Sequence, residues 1–377
     1  MRVTINRAEL LNVSKRAAAI APTSSPIKEL SCTLLEADNS SGKLTVTSTN
    51  VEPALEQKVR CTSHEEDALA INAKLLAAML EKMPGETVEL CRKDGSSILC
   101  LSSEDTEYNI TIFERGGFPK PDLPFPEDTV KVSGIPALAR RTVFAASTDE
   151  KETSTMLKCV NLMFTKDGLR ADGSDGNCII TASGDSKSAG NTSLLLPAPS
   201  LEKLARMCSD EDEFRVGTTG RNVAFLREDF IYSALLVEGQ YIDTERLNAS
   251  AQPQFQVLTD ALELRKGLAS AAFDPEGQVG LLFDGQRLTF QYRSGSCSGG
   301  APISVIPLKG NVQGEYWFHI RKLEACLRAM SGSVRLGIAV GGMLVLETED
   351  ALYLQTGIRP PAVQKKKEQK ATAQKAA

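Results

Sequence analysis

Apolar and polar residues alternate on both sides of tight-turn dipeptides at six places along the chain, a pattern typical of β-hairpins. The glycines of these dipeptides form two series, Gly42, Gly168 and Gly285 in one and Gly95, Gly220 and Gly342 in the other. The spacings are 126 and 117 residues in the first series and 125 and 122 in the second. This regularity predicts an internal repeat of about 120 residues.

Six segments with apolar residues three and four positions apart are predicted to be helices, two in each repeat. They are residues 7–21, 72–83, 135–147, 199–208, 258–272 and 319–330. In the first helix of each repeat a leucine precedes an alanine by seven residues, which places both on one packing stripe. The pairs are Leu11 with Ala18, Leu138 with Ala145, and Leu264 with Ala271. Equivalent ends of the second helices are predicted at Met83, Met207 and Met330.

Two linkers and a tail fall where this period requires them. Residues 116–128 contain four prolines, which favour extended chain, and residues 248–255 are mostly small and polar. We therefore predict three tandem domains, 1–127, 128–251 and 252–361. Residues 362–377 have five lysines, one glutamate and no apolar stripe, so they are predicted to be a basic disordered tail. Each domain is expected to be α+β, with two helices on mostly antiparallel sheets.

The 377 residues carry a formal net charge of -5, which alone argues against a nucleic-acid partner. The charge is segregated, however, because the six predicted helices contain 14 basic and six acidic residues and so carry +8, against -13 elsewhere. This favours a basic helical surface that contacts phosphates without reading bases, although solvated helix faces are the alternative. The predicted DNA contacts are Arg7, Lys15, Lys74, Arg140, Arg141, Lys151, Lys203, Arg206, Lys266, Arg321 and Arg328.

The sequence lacks common catalytic and cofactor motifs, including GxxxxGK[ST], HExxH and GxSxG. Nine cysteines without a CxxC pair are predicted to be reduced core residues. His64 and His319 have no metal-ligand spacing, and Asp172, Asp175 and Asp185 do not follow the pattern of a cation loop, so no metal or cofactor is expected. A polar N-terminus and the absence of long apolar runs predict a cytoplasmic protein with no membrane partner.

Two segments carry a resemblance to a known family. Residues 144–183 (FAASTDEKETSTMLKCVNLMFTKDGLRADGSDGNCIITAS) and 235–247 (LLVEGQYIDTERL) resemble stretches of the bacterial DNA polymerase III beta subunits, the sliding clamps. The three repeats and the basic helices agree with that resemblance. It implies three clamp domains per chain, two chains joined head to tail in a ring, and duplex DNA passing through the hole. It also implies a processivity factor without catalytic activity, which tethers the DNA polymerase III alpha subunit and other partners and is loaded by a separate ATP-driven clamp loader.

The resemblance further implies a groove between the second and third domains that binds short peptides. Carried over by position, the groove residues are Leu157, Ser174, Gly176, Asn177, Cys178, Ile179, Ile242, Arg246, Leu247, Leu354, Thr356 and Ile358. Leu157, Ile179 and Leu247 have core packing as an alternative role. The chain departs from the family at Asn177-Cys178, at Ile242 and at its C-terminus, which ends in a lysine-rich extension. These departures predict a divergent clamp, with a phage, a mobile element or a second chromosomal copy among its possible sources.

The resemblance also implies that an edge strand of the first domain pairs with one of the third domain in the other chain. By position, Tyr108 should meet Ala272 and Phe273. The acidic residues Glu104, Asp105 and Glu107 would then face Arg287 and Arg293, an arrangement that favours association.

Two other functions stay open from the sequence. A repeat scaffold could bind only protein peptides in an interdomain groove, with its basic helices merely solvated. A hydrolase could use Asp175 and Glu238, although the sequence places no base or metal beside them.

Overall fold

The computed structural model describes residues 1–92, 95–166, 168–184, 192–274, 276–294 and 297–361. Asp94, Asp167, Asp185 and the predicted tail 362–377 lie outside the described residues. The chain divides into two compact units. The first is Met1–Gly173 with Ser183–Ile242, and the second is Ser174–Ala182 with Asp243–Ala377. This division into two units does not test the three predicted domains, whose boundaries remain a prediction.

Seven α-helices lie within the described ranges. They are α1 (Arg7–Ile20), α2 (Ala73–Lys82), α3 (Ile135–Thr142), α4 (Ala198–Met207), α5 (Thr244–Ser250), α6 (Ala261–Ala269) and α7 (Ile320–Ala329). Side chains of Asn6, Asn72 and Asp260 cap α1, α2 and α6 by accepting hydrogen bonds from backbone N–H groups of the first turn. Proline stands at the start of α3 and α4, where a missing N–H costs nothing. None of the helices in the described parts is long and apolar enough to cross a membrane.

The strands of the first unit are all antiparallel to the neighbours recorded for them. They are β1 (Arg2–Asn6), β2 (Cys32–Asp38), β3 (Lys43–Thr49), β4 (Ala54–Ser63), β5 (Asp67–Asn72), β6 (Thr87–Arg92), β7 (Ile98–Ser103), β8 (Thr106–Glu114), β9 (Val130–Val132), β10 (Cys159–Thr165), β11 (Gly168–Ser174), β13 (Thr192–Pro197), β14 (Phe214–Thr219), β15 (Asn222–Arg227) and β16 (Phe230–Leu235), with β12 (Cys178–Gly184) shared between the units. Twelve of them form one sheet in the order β1-β6-β7-β8-β5-β2-β3-β4-β16-β15-β14-β9. Strands β13, β10 and β11 pair with one another in that order.

Strand β4 joins the first repeat to the second. Its end at Cys61–Ser63 pairs with β1, and its start at Ala54–Gln57 pairs with β16. The first repeat therefore closes its own strands through β1 and also continues into β16, β15, β14 and β9.

The second unit has two antiparallel sheets. Its other strands are β17 (Pro253–Asp260), β18 (Gln278–Asp284), β19 (Arg287–Arg293), β20 (Ser298–Ser304), β21 (Ile306–Lys309), β22 (Gln313–His319), β23 (Ser333–Ala339), β24 (Leu344–Glu347) and β25 (Ala351–Gln355). Within this unit, the strands of one sheet have the order β12-β25-β24-β23-β17-β21, and those of the other have the order β20-β19-β18-β22. An α+β fold with few helices on antiparallel sheets is thus confirmed.

The predicted hairpins are confirmed in both series. The turns connect β2 to β3, β10 to β11 and β18 to β19 in the first series, and β6 to β7, β14 to β15 and β23 to β24 in the second. Gly42, Gly220 and Gly285 have φ angles of 62°, 59° and 60°, a left-handed conformation that glycine adopts without steric cost.

The packing stripe of the first helix was predicted one residue too late. Leu10 and Ala17 are buried, at 0% and 1% exposure, whereas Leu11 and Ala18 are only half-buried. Leu10, Leu138 and Leu264 each stand fourth in their helix, so the repeat aligns on Leu10. In the second helices the equivalent caps are Met83, Cys208 and Met330, because Met207 is the last helical residue of α4. The buried leucines still place both helices of each pair on the core.

Helix boundaries differ from prediction around residue 250. Residues 244–250 form α5, which sequence periodicity missed because the helix has only seven residues. Asp243 was its available signal, since the side chain caps the helix by accepting a hydrogen bond from the Arg246 N–H at 2.9 Å. The predicted linker 248–255 is instead the end of α5 and the start of β17, and that strand continues to Asp260.

Candidate functional site

In each repeat, one arginine of the first helix binds the carboxyl end of the second helix. Arg7 donates to the carbonyl oxygens of Gly85 at 2.8 Å and Leu80 at 3.2 Å. Arg140 donates to the Cys208 carbonyl at 2.6 Å and to the Ala205 carbonyl, and it pairs with Asp210.

Arg265 repeats the arrangement, reaching the carbonyls of Leu327 at 3.4 Å and Met330 at 3.5 Å. Carbonyls at a helix end lack helical partners, and the end carries partial negative charge, so a guanidinium stabilises it. Leu80, Ala205 and Leu327 each stand eighth in their helix, which shows that the contact is repeated in register. Arg7 and Arg140, two predicted DNA contacts, therefore also hold helix pairs together.

The other predicted DNA contacts are mostly exposed. Lys15, Lys74, Lys151, Arg206, Lys266, Arg321 and Arg328 are exposed, whereas Arg141 and Lys203 are half-buried. Burial lowers the pKa of Lys203, which disfavours its charged form.

Several exposed cations rest against a nearby carboxylate. The pairs are Lys15–Glu81 at 2.6 Å, Arg206–Glu202 at 2.6 Å, Lys266–Glu263 at 2.8 Å, Arg321–Glu276 at 3.1 Å and Arg328–Glu324 at 2.5 Å. Surface pairs of this kind contribute about 0–1 kcal/mol, so a phosphate can displace the carboxylate at little cost.

Arg16 is a basic residue of α1 that was not among the predicted DNA contacts. Its Nε donates to the Met207 carbonyl at 3.0 Å, and its guanidinium lies 6.0 Å from the centre of the Phe230 ring. Arg227 lies 4.7 Å from the same ring. Arg16 thus packs α1 against α4 and β16, and burial lowers its pKa.

The loop Ser174–Cys178 of the predicted groove is held by hydrogen bonds within itself and to a neighbouring segment. One carboxylate oxygen of Asp175 accepts hydrogen bonds from the N–H groups of Asn177 and Cys178, both at 2.9 Å. The hydroxyl of Ser174 donates to the Cys178 carbonyl at 2.8 Å, and Gly176 has a φ of 86°. The Thr356 N–H and hydroxyl donate to the Asn177 carbonyl at 2.9 and 3.1 Å. The loop is therefore tied to the chain just after β25.

The predicted groove residues of the second unit separate into buried and accessible sets. Ser174, Cys178 and Leu354 have exposures of 0%, 2% and 2%, so they lie beneath the surface. Burial raises the pKa of the Cys178 thiol to about 12, which keeps it protonated and unreactive.

Ile179 and Ile358 are half-buried, and Leu247 is 41% exposed. Ile179 packs against a small core of Ala251, Ala339, Val345 and Leu354. The N–H of Ile358 donates a hydrogen bond to the Trp317 carbonyl at 2.8 Å. Gly176, Asn177, Arg246 and Thr356 are exposed. The accessible residues therefore combine partly exposed apolar side chains with exposed polar groups.

Leu157 and Ile242 belong to the first unit, and both are half-buried. The Leu157 carbonyl accepts a hydrogen bond from the Ser147 N–H at 2.7 Å. Their place in the predicted groove remains a prediction.

The predicted dimer residues lie on or near strand edges. Tyr108 of β8 is half-buried and packs partly on the core of the first repeat. The segment Thr106–Thr111 of β8 pairs with β7, whereas pairing with β5 begins at Ile112. Phe273 is 72% exposed, and its ring lies 4.9 Å from that of Tyr292. Ala272 beside it is half-buried.

Of the charged residues predicted to face each other across the dimer interface, Arg293 is engaged by residues of its own chain. Arg293 pairs with Glu315 at 2.9 Å and lies 5.2 Å from the centre of the Trp317 ring. Arg287 is exposed, as are Glu104, Asp105 and Glu107. Arg293 therefore has a local role within its own sheet.

The carboxylates considered for metal or acid–base chemistry have basic partners. Asp172 pairs with Arg170 at 3.1 Å, Asp175 with Lys322 at 3.2 Å and Glu238 with Arg221 at 3.3 Å. No group of three or more potential ligands that could hold a metal ion occurs in the described part of the chain. The nine cysteines form no disulfide. Five of them are buried, three are half-buried and Cys297 is exposed, so only part of the set lies in the core as predicted.

A cavity of about 680 Å³ lies in the first unit beside α3 and α4. Phe144, Ala146 and Ala205 supply apolar surface, and Arg140 and Arg206 line its side. Sequence periodicity could not reveal it, because it opens where the predicted helix 135–147 ends early and a 3-10 turn follows at Val143–Ala145.

Comparison with known proteins gives consistent matches. Residues 1–123 match the family described as DNA polymerase III beta subunit, N-terminal domain. The chain is 23% identical over 254 residues to the beta sliding clamp of Chlamydia pneumoniae, covering 64% of this chain and 66% of the relative. It is 24% identical over 326 residues to the beta sliding clamp of Synechococcus elongatus, covering 79% of this chain and 82% of that protein. The chain thus spans just under two thirds of the Chlamydia relative.

Solved structures show the same fold. The DNA polymerase III beta subunit of Thermotoga maritima matches with a TM-score of 0.84 and 19% identity, covering 96% of this chain and all of that one. The subunit from Pseudomonas aeruginosa matches with a TM-score of 0.81 and 19% identity, covering 95% of this chain and 100% of that chain.

Proposed function

We propose that this chain, a divergent member of the DNA polymerase III beta subunit family, acts as a DNA sliding clamp. It would encircle duplex DNA without sequence preference and tether a replicative polymerase, so that synthesis becomes processive. The protein would have no catalytic activity of its own and would work in the cytoplasm. A separate clamp loader would open the ring.

The observation that carries the proposal is the segregation of charge. Each of α1, α2, α3, α4, α6 and α7 is net positive, although the whole chain carries -5. The helix α6 is net positive because Asp260, which caps it, precedes its first residue and is not counted in its charge. Cations that touch phosphates but read no bases allow a protein to slide along DNA.

A head-to-tail dimeric ring of three-domain chains is part of the proposal. The edge segment Thr106–Thr111 of β8 would pair with β20 of the other chain, since β20 stands at the end of its sheet. Tyr108 would then contact Ala272 and Phe273. Phe273 is 72% exposed, which leaves its ring accessible for this contact, and aromatic side chains are enriched in protein interfaces.

The groove would bind partner peptides, among them a segment of the DNA polymerase III alpha subunit and of the clamp loader. Ile179, Leu247 and Ile358 offer partly exposed apolar surface for such a peptide. A scaffold that binds only proteins is not favoured, because the relatives are sliding clamps.

Binding of two unrelated 30-base-pair duplexes at low salt tests the DNA contact. The proposal predicts equal affinities for both sequences and a steep loss of affinity as salt rises. A chain that binds neither duplex at low salt would instead support the protein-only scaffold.

A further inference from the structure

Lys322 occupies an unfavourable position on α7. It stands in the first turn with Arg321, that turn has no acidic residue, and His319 makes no side-chain cap hydrogen bond. The amino end of a helix carries partial positive charge, so two cations there repel it unless a nearby anion offsets the repulsion. The side chain of Arg321 is 63% exposed, whereas that of Lys322 is only 21% exposed. Lys322 therefore points toward the protein.

Asp175 of the Ser174–Cys178 loop supplies the anion. Its second carboxylate oxygen lies 3.2 Å from the Lys322 Nζ, and its side chain is 13% exposed. Its first oxygen holds the N–H groups of Asn177 and Cys178. One carboxylate thus fixes the shape of the loop and also ties it to α7.

The charge of Asp175 is maintained despite its burial. Loss of solvent raises the pKa of this carboxyl, but the Lys322 charge and the two backbone N–H groups outweigh that effect, and the pKa lies below its ordinary value. The carboxylate is therefore ionised at neutral pH and available to Lys322.

We propose that the Lys322–Asp175 ion pair is a positioning contact that holds the Ser174–Cys178 loop against α7 as one wall of the peptide groove. The connection to peptide binding rests on the proposed function. Since α7 also carries Arg321 and Arg328, the pair links a helix with predicted DNA contacts to the groove loop.

Substitutions in the full chain can separate the charge from the loop's own hydrogen bonds. Asp175→Asn retains an oxygen acceptor for the two N–H groups but removes the ion pair. Lys322→Gln removes the cation, and Lys322→Arg retains it. Arg335→Gln breaks the exposed pair of Arg335 with Glu347, which lies in the same unit and outside the predicted DNA contacts, and is the matched control.

Hydrogen exchange at the Asn177 and Cys178 amides is the deciding measurement, with circular dichroism confirming that each variant is folded. Asp175→Asn and Lys322→Gln should each speed exchange about tenfold, and the double variant should be no faster than the faster single variant. Lys322→Arg and Arg335→Gln should resemble the wild type. Unchanged exchange in both single variants, or effects that simply multiply in the double variant, would overturn the proposal.

A fluorescein-labelled Ser-Leu-Ser-Leu-Phe peptide, chosen for the apolar groove, reports on function separately. Its dissociation constant should rise about tenfold in Asp175→Asn and Lys322→Gln and stay constant in Arg335→Gln. Unaltered peptide affinity in the two variants, despite faster exchange, would overturn the claim that the loop is a wall of the groove. A wild type that does not bind the peptide would count against the proposed groove, whereas the exchange result still decides the role of the ion pair.

Discussion

The two sides of the paired helices carry the same charge but use it differently. Where the two helices of a pair meet, Arg7, Arg140 and Arg265 donate hydrogen bonds to carbonyls at the end of the neighbouring helix. Arg140 does so although its side chain is 44% exposed. On the exposed side, cations such as Lys15 and Arg206 hold only a surface carboxylate. The first group is needed for the helix pair itself, and the second remains available to a partner. A basic residue on a helix is therefore not by itself a DNA contact.

The largest expected effect concerns the proposed ring, in which the exposed sides of both chains would face one hole. Tyr108→Ala should weaken dimerisation by about 2 kcal/mol at each interface, hence about 4 kcal/mol for a ring with two interfaces. Light scattering after size exclusion, at nanomolar protein, should show monomers for this variant and for Phe273→Ala. A persistent dimer in both variants would remove these residues from the interface.

The next prediction concerns which leucine of α1 packs against the core. Leu10→Ala should destabilise the protein by about 3 kcal/mol, because it leaves a cavity under a side chain that is 0% exposed. Leu11→Ala should cost about 1 kcal/mol, since Leu11 is half-buried. Urea denaturation monitored by circular dichroism compares the two. Equal costs would contradict the alignment of the repeats on Leu10.

Arg140 and Arg206 separate the two uses of positive charge within one helix pair. Arg140→Ala should lower the free energy of unfolding by about 2 kcal/mol, because two helix-end carbonyls lose a charged donor. Arg206→Ala should change it by less than about 0.5 kcal/mol. The same urea titration measures both. If Arg206→Ala is as damaging as Arg140→Ala, the distinction between the two sides fails.

The smallest effect is expected for single exposed cations and DNA. Arg206→Gln and Lys266→Gln should each weaken duplex binding a few-fold and lower the slope of log affinity against log salt by about 1 per lost phosphate contact. Fluorescence anisotropy over a salt series gives the slope. Glu202→Gln is the opposite control, since freeing Arg206 from its carboxylate should leave the slope unchanged or raise it.

The repeated features could be predicted from sequence because they occur three times. Hairpin glycines and apolar stripes predicted the fold class and the helix pairs. The register of Leu11 was wrong because two adjacent leucines fit the period equally well, and the equivalent helix end at Met207 and the linker 248–255 were wrong as well. The seven-residue α5 was missed since it is too short to show a period. The helix-end role of Arg140 and the link between Asp175 and Lys322 join residues 65 or more positions apart, which no local pattern reports.

Retention on circular DNA tests encirclement most directly. The protein is diluted until the dimer dissociates, mixed with nicked circular plasmid, and then concentrated. The mixture is passed over a sizing column in about 0.5 M NaCl, where purely electrostatic binding is lost. A ring predicts that protein stays with the circular plasmid and is released when a restriction enzyme linearises it. Equal retention on circular and linear plasmid, or loss from both, would contradict the sliding-clamp account.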